Sequence, residues 1–243
     1  MDSKTKANVE MWRMEVKDDI LTLDIYDRVE GDSYDWRSGE KIKSETSAKH
    51  FKEELEAHPD VKEIRININS AGGSVFEGMA IYSQLKRHKA HKTVIVDGFA
   101  CSIASVIAMA GDTVIMPETA VMMIHNPWTV TVGNAAALRK EADDLDKLGE
   151  SMRQAYLMKA GDKLDEGKLI EMLNAETYLT AAECIELGLA DAHSEEPEDE
   201  PDEKAQAKAR VEKARAEAAA AAEAEEMARR REKAAAVIEK YLS

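Results

Sequence analysis

The sequence predicts an α/β domain with a largely parallel sheet, followed by a charged helical extension. Three observations carry that prediction. Short β-type segments alternate with helix-type segments from residue 20 to about residue 190, the order that βα units produce. The β-type segments ending at Ile68, Val96 and Ile124 each give way to a glycine-rich or polar turn. Composition then changes sharply after His193.

The elements follow in order. Ile20 to Tyr26 (ILTLDIY) reads as a strand, and Thr46 to His58 as a helix stopped by Pro59. Ile64 to Ile68 alternates apolar and polar residues, the period of a strand. Val75 to Leu85 is predicted helical and Thr93 to Val96 a short buried strand. Ser102 to Ala110 is small and apolar, as a buried helix would be. Thr113 to Met116 and Val121 to Ile124 are two more short strands. Ala135 to Met158 is a long helix on which Ala135, Ala142, Leu145, Leu148 and Met152 form one apolar stripe. Lys168 to Leu173 is helical, and Thr180-Ala-Ala-Glu183 is a capping box opening a last helix that ends at Gly188.

These elements assign residues 1–194 to one domain. Residues 195–203 (EEPEDEPDE) are acidic, carry two prolines and read as a solvated linker. Residues 204–243 are mostly Ala, Glu, Lys and Arg, with no Gly or Pro. Such a segment favours a long exposed helix. It fits either a solvated tail or a coiled-coil, scaffold-like arm.

Length and charge narrow the function classes. A chain of 243 residues fits one domain plus an extension. The formal net charge of -15 repels phosphates and argues against a nucleic-acid partner. No apolar run reaches the roughly 18 residues that a membrane span needs. The polar N-terminus MDSKTKANVE lacks the apolar centre of a signal peptide. Cys101 and Cys184 do not make a disulfide framework. The expectation is a soluble, cytoplasmic protein.

Three segments carry candidate chemistry. In Asn69-Ser-Ala-Gly-Gly-Ser74, paired glycines let backbone N–H groups point outward beside a helix start. That turn suits a phosphate or an oxyanion, though it also fits an ordinary chain reversal, and no Walker-type Gly-Lys-Ser/Thr follows it. In Asp97-Gly-Phe-Ala-Cys-Ser102-Ile-Ala-Ser105, Ser102 opens a buried helix, where the Ile103 N–H can join an oxyanion hole. A plain helix N-cap is the alternative for Ser102. Cys101 and Ser105 are rival nucleophiles that helical spacing turns away from it. In Met123-Ile-His125-Asn-Pro127, the histidine stands where a buried strand becomes a loop. His50, His58, His88 and His91 lie in polar surroundings, and His193 borders the linker. Together the segments supply what acyl transfer needs: a hydroxyl, a base and backbone donors for the oxyanion.

With these residues in place, the sequence resembles the ClpP peptidases. The resemblance lies in Asn69-Ser-Ala-Gly-Gly-Ser-Val75 with Gly78-Met-Ala-Ile-Tyr82, in Gly98-Phe-Ala-Cys-Ser-Ile-Ala-Ser105 through Gly111, and in Met123-Ile-His-Asn-Pro127. It covers about residues 20–192. It implies Ser102 as nucleophile, His125 as base, and an oxyanion hole from the N–H groups of Gly72 and Ile103, with Gly73 shaping the turn. It also implies a ClpP/crotonase-like spiral of ββα units, a protruding handle over residues 128–160, and homo-oligomeric rings acting on proteins or peptides. No cofactor or metal is implied.

The family's third triad member is commonly an aspartate ahead of a Phe/Tyr-Leu-Ser/Thr-Ala segment. Here that segment is Tyr178-Leu-Thr-Ala181, and the matching position is Glu176. The glutamate and the charged extension are closer in character to the ClpP-like head maturation proteases of tailed bacteriophages, which process capsid and scaffold proteins. The other readings are a housekeeping ClpP peptidase working under an ATPase ring, a crotonase-type acyl-CoA enzyme, a Ser–Lys peptidase, and an inactive shell or scaffold protein.

Overall fold

The computed structural model describes residues 15–17 and 19–194. The expected linker 195–203 and tail 204–243 lie outside the described residues.

Strand β1 (Glu15–Lys17) runs antiparallel to β2 (Ile20–Ile25). A small hairpin, β3 (Ser33–Tyr34) with β4 (Lys41–Ile42), follows. Helix α1 (Ala48–Ala57) starts at Ser47, whose side chain accepts the His50 N–H. Glu77 Oε2 accepts the Ala48 N–H at 2.6 Å, so a second side chain satisfies a free amide of the first turn. The chain continues through β5 (Glu63–Ser70), α2 (Val75–Arg87), β6 (His91–Cys101) and α3 (Ile103–Ala108). After these come β7 (Thr113–Ile115), β8 (Val121–Ile124), α4 (Ala135–Ala160), α5 (Glu166–Asn174), β9 (Thr177–Thr180) and α6 (Ala181–Glu186).

The sheet order is β1-β2-β5-β6-β8-β9, with β7 also paired to β6. Strands β2, β5, β6, β7 and β8 are mutually parallel, and β9 is antiparallel to β8. The largely parallel α/β expectation therefore holds. Alternation fixes the buried face: Leu21, Leu23 and Ile25 on β2 and Ile64, Ile66 and Ile68 on β5 are fully buried. They share one core with Phe51, Ile81, Leu85, Ile103 and Ile107 of α1, α2 and α3. Each such side chain contributes roughly 1.5–3 kcal/mol by leaving water. The residues between them face the other way and pair across strands. Asn67 donates to Asp24 at 2.7 Å, and Tyr26 donates to Asp97.

Three differences from the sequence reading have physical causes. Strand β6 runs well past the expected 93–96, although Asp97-Gly98 reads locally as a turn. Pairing on either side carries it through: β5 pairs with 91–96 and again at Ala100, with a register shift at 97–99, while 93–95 pair with β7 and 99–101 with β8. The expected 102–110 helix narrows to 103–108, and Met109, Ala110 and Gly111 continue it as tighter turns bonded to the third residue back. The expected stripe of α4 divides. Met152 is buried and Leu145 and Leu148 are half-buried, but Ala135 and Ala142 are exposed. The helix packs on its own chain through Gly149, Met152, Ala155, Tyr156 and Ala160. The Thr180–Glu183 capping box forms as expected, and Gly188 ends that turn at φ 74°. No helix among the described residues is long and apolar enough to cross a membrane.

Candidate active site

The three motifs meet because three neighbouring parallel strands end at one edge of the sheet. Ser70 pairs with Ala100, and Cys101 pairs with Met123. The residues just beyond these ends, Gly72, Ser102 and His125, are therefore brought together by register alone. Carboxyl ends of parallel strands are where such folds place their chemistry.

Ser102 stands between β6 and α3 at φ 55°, ψ -128°. A residue with a side chain rarely adopts that backbone, and the strain costs on the order of 1–3 kcal/mol. Its N–H donates to Met123 O at 2.8 Å, which ties the turn to β8. Its side chain does not cap α3. Instead Ser102 Oγ lies 2.7 Å from His125 Nε2. The N-cap alternative is thus displaced by a hydroxyl–imidazole hydrogen bond. His125 itself is buried.

The glycine turn packs directly against this serine. Gly72 and Gly73 have φ of 90° and 157°. A β-carbon on Gly72 would lie 2.7 Å from Cys101 O and 2.8 Å from Ser102 Cβ, and one on Gly73 would lie 2.1 Å from Val29 O. Only glycines allow this approach. Val29 donates to Gly72 O at 2.9 Å and accepts from Ser74 N–H at 2.7 Å. Ser70 Oγ donates to Asp27 O and accepts the Gly72 N–H at 3.1 Å. The Gly72 amide expected to face an oxyanion is therefore engaged by Ser70, which the sequence alone did not reveal. Gly73's own N–H is left unused by the Val29 bridge. The Ile103 N–H is the first of α3, and no carbonyl within that helix can accept it. Gly78 lets α2 lie against Ile103, since a β-carbon there would come within 2.1 Å of Ile103 Cγ1.

The rival nucleophiles are occupied or suppressed. Cys101 is buried, and that burial pushes its thiol pKa up, against a smaller lowering by the Met123 backbone. Ser105 is buried, and its hydroxyl is bonded to Ser102 O and to Tyr156 OH.

Glu176 is not joined to the pair in this chain. It is exposed, has φ 50°, and makes no side-chain hydrogen bond among the described residues. The second imidazole nitrogen of His125, Nδ1, likewise has no hydrogen-bond partner among them. The backbone nonetheless brings the two positions close. Ile124 pairs with Thr177 in the antiparallel β8–β9 ladder, so the next step of the register sets His125 opposite Glu176. A second link is Asn126 Nδ2 donating to Asn174 Oδ1 at 2.7 Å, one residue from His125 and two from Glu176. Strand β9, which creates this adjacency, is not among the strands the sequence predicts. Its signal was the alternating Thr177-Tyr-Leu-Thr180 with only Leu179 buried.

Chemically, the arrangement offers a strained hydroxyl hydrogen-bonded to an imidazole, beside the Gly73 and Ile103 N–H groups, for which no acceptor stands among the described residues. The sequence profile of the Clp protease family matches residues 24–196, a span that holds all three motifs and Glu176. This chain belongs to the Clp protease family, the family of ClpP-type peptidases, and has the mixed α/β fold expected of it.

Proposed function

We propose that this protein is a serine endopeptidase with Ser102 as nucleophile, His125 as general base and Glu176 as the carboxylate that orients His125. The observation that carries the reading is the 2.7 Å contact between Ser102 Oγ and His125 Nε2. In the acylation step His125 Nε2 takes the hydroxyl proton as Ser102 Oγ bonds to the scissile carbonyl carbon. The carbonyl oxygen becomes an oxyanion, and the N–H groups of Ile103 and Gly73 are its donors. His125 then returns the proton to the leaving amine. Water repeats the sequence on the acyl-enzyme and restores the hydroxyl. Gly72 serves by fitting closely against Ser102.

Homo-oligomeric rings are part of the proposal. The exposed first half of α4 and the exposed Trp128, Val130 and Val132 ahead of it support a contact surface there. So do Glu176 and His125 Nδ1, which have neighbouring backbone positions but no hydrogen bond to each other or to any other described residue. The narrower substrate class is capsid or scaffold protein of a tailed phage, supported by glutamate at position 176 and by the charged extension. A housekeeping peptidase fed by an ATPase shares the same chemistry. A crotonase-type reading leaves the Ser102–His125 pair without a use.

The test is labelling of the full chain with a fluorophosphonate probe, followed by peptide mapping. Label on Ser102, lost in Ser102→Ala together with peptide hydrolysis, is the expected result. Triad removal typically costs several powers of ten in rate. Label on Cys101 or Ser105, or a Ser102→Ala variant hydrolysing peptide within about tenfold of wild type, overturns it. Cleavage of a phage scaffold protein without any ATPase separates the narrower substrate class from the ATPase-fed one.

A further inference from the structure

One buried polar chain reaches the candidate nucleophile from the long helix and has no part in the proton transfers above. Tyr156 of α4 and Ser105 of α3 are both fully buried. Tyr156 OH lies 2.7 Å from Ser105 Oγ, and Ser105 Oγ donates to the carbonyl oxygen of Ser102. The Ser105 N–H donates to the same carbonyl at 3.0 Å. Proton counting sets the direction of the chain. Each hydroxyl has one proton, and a carbonyl can only accept. Ser105 gives its proton to Ser102 O, so Tyr156 gives its own to Ser105. Burial pushes the Tyr156 hydroxyl pKa well up, against a smaller lowering by its bond to Ser105, so it keeps that proton.

The carbonyl of Ser102 and the N–H of Ile103 are opposite ends of one planar trans peptide. Whatever holds that oxygen aims that N–H. Hydrogen bonds to the oxygen also draw electron density across the amide and make its N–H a stronger donor. The peptide needs such holding, because it follows a residue at φ 55°.

We propose that Tyr156 and Ser105 are positioning residues, a hydroxyl relay from α4 that aims and polarises the Ile103 N–H toward the oxyanion. The proposal rests on the peptidase reading above. It makes α4, the helix whose first half is exposed, a direct mechanical neighbour of the oxyanion donor.

The test uses the full chain and a fluorogenic peptide substrate, with Ser105→Ala, Tyr156→Phe and the double variant. Loss of a whole oxyanion donor costs a hundredfold or more, so a donor left in place but badly aimed loses roughly tenfold in kcat for Ser105→Ala and about threefold for Tyr156→Phe. KM stays within about twofold, because the ground-state carbonyl does not depend on this donor. A peptide aldehyde, whose hemiacetal oxygen occupies the oxyanion position, weakens by the same factor as kcat/KM. The double variant is no worse than Ser105→Ala, because the tyrosine acts only through the serine. A merely structural role moves the melting temperature and KM without this correlation. Overturning results are a kcat unchanged in both single variants, losses that multiply in the double, or aldehyde affinity that does not follow kcat/KM. If Ser105→Ala does not fold, Tyr156→Phe, which keeps the ring volume, decides through the aldehyde alone. Failure of the peptidase reading is distinguishable, since the wild type would then neither hydrolyse peptide nor take the probe on Ser102.

Discussion

The two ends of the parallel sheet both carry polar groups and pair them to different degrees. At the amino end, charges pair with each other. Lys62 meets Asp19 at 2.7 Å, Lys92 meets Asp112 at 2.9 Å, and Lys159 meets Asp191 at 2.6 Å while also donating to Gly111 O and Asp112 O. Asp191 also accepts the Val114 N–H at 2.7 Å. At the carboxyl end, Ser102 is strained, His125 Nδ1 has no partner among the described residues, and Glu176 is exposed. Paired groups hold strands in place, and groups left incompletely paired are available to a substrate. The contrast is a matter of completion, since both ends are built by the same register.

Completing the open end tests the comparison most strongly. If Glu176 orients His125, Glu176→Gln keeps the shape but favours the wrong tautomer, and kcat falls by roughly a hundredfold or more. Glu176→Asp does less damage. Steady-state kinetics on the assembled protein measure both, and a glutamine variant with wild-type kcat removes Glu176 from the site.

Gly73→Ala gives the next largest effect. The added carbon meets Val29 O at 2.1 Å, so the backbone must move. Overpacking of this kind costs about 1–3 kcal/mol, and a displaced oxyanion turn lowers kcat by roughly tenfold or more. Denaturant titration with kinetics checks both, and an alanine that changes neither means that the turn is not tightly held.

The closed end gives the smallest effect and none on kcat. Burial pushes the Asp112 pKa up, but the Lys92 hydrogen bonds and charge outweigh it and hold the carboxyl below its ordinary value. A carboxyl depressed on folding stabilises above its unfolded pKa and loses that contribution as pH falls through the folded value. Asp112→Asn is therefore less stable than wild type near neutrality, and the gap closes below about pH 4. Melting temperatures against pH measure this. A gap that persists unchanged to low pH means that the pairing with Lys92 is not its source.

Much of the site is legible in the sequence because its parts follow apolar strands. Ile64 to Ile68, Thr93 to Val96 and Val121 to Ile124 announce buried strands, and the glycine-rich or polar segment after each stands out. Ser102 is ambiguous locally, because a serine opening a helix has two uses, and only the Met123 and His125 contacts decide between them. Strand β6 is cut short in the sequence because Asp97-Gly98 is a turn signal that two neighbouring strands override. The β3–β4 hairpin escapes notice because Tyr34 and Ile42 are exposed and leave no buried alternation. The engagement of the Gly72 amide depends on the Ser70 rotamer. Ser105 packs, as helical spacing suggests, but its tie to Tyr156 joins residues far apart in the chain. The local signal was one hydroxyl inside the otherwise apolar run Ile103 to Ala110.

Strand β6 has one further consequence, for the order in which the chain assembles. It pairs with three strands, and the closures involved are short in sequence: Ile68 with Val96, Thr93 with Thr113, Cys101 with Met123. The β8–β9 ladder instead joins Ile124 to Thr177 around the whole of α4 and α5. Loop-closure entropy rises with the length of chain enclosed, so the longer closure carries the larger entropic cost. The glycine turn, Ser102 and His125 belong to the cheaper closures around β6. Glu176 belongs to the costlier one, so its backbone position opposite His125 depends on the closure with the largest entropic cost.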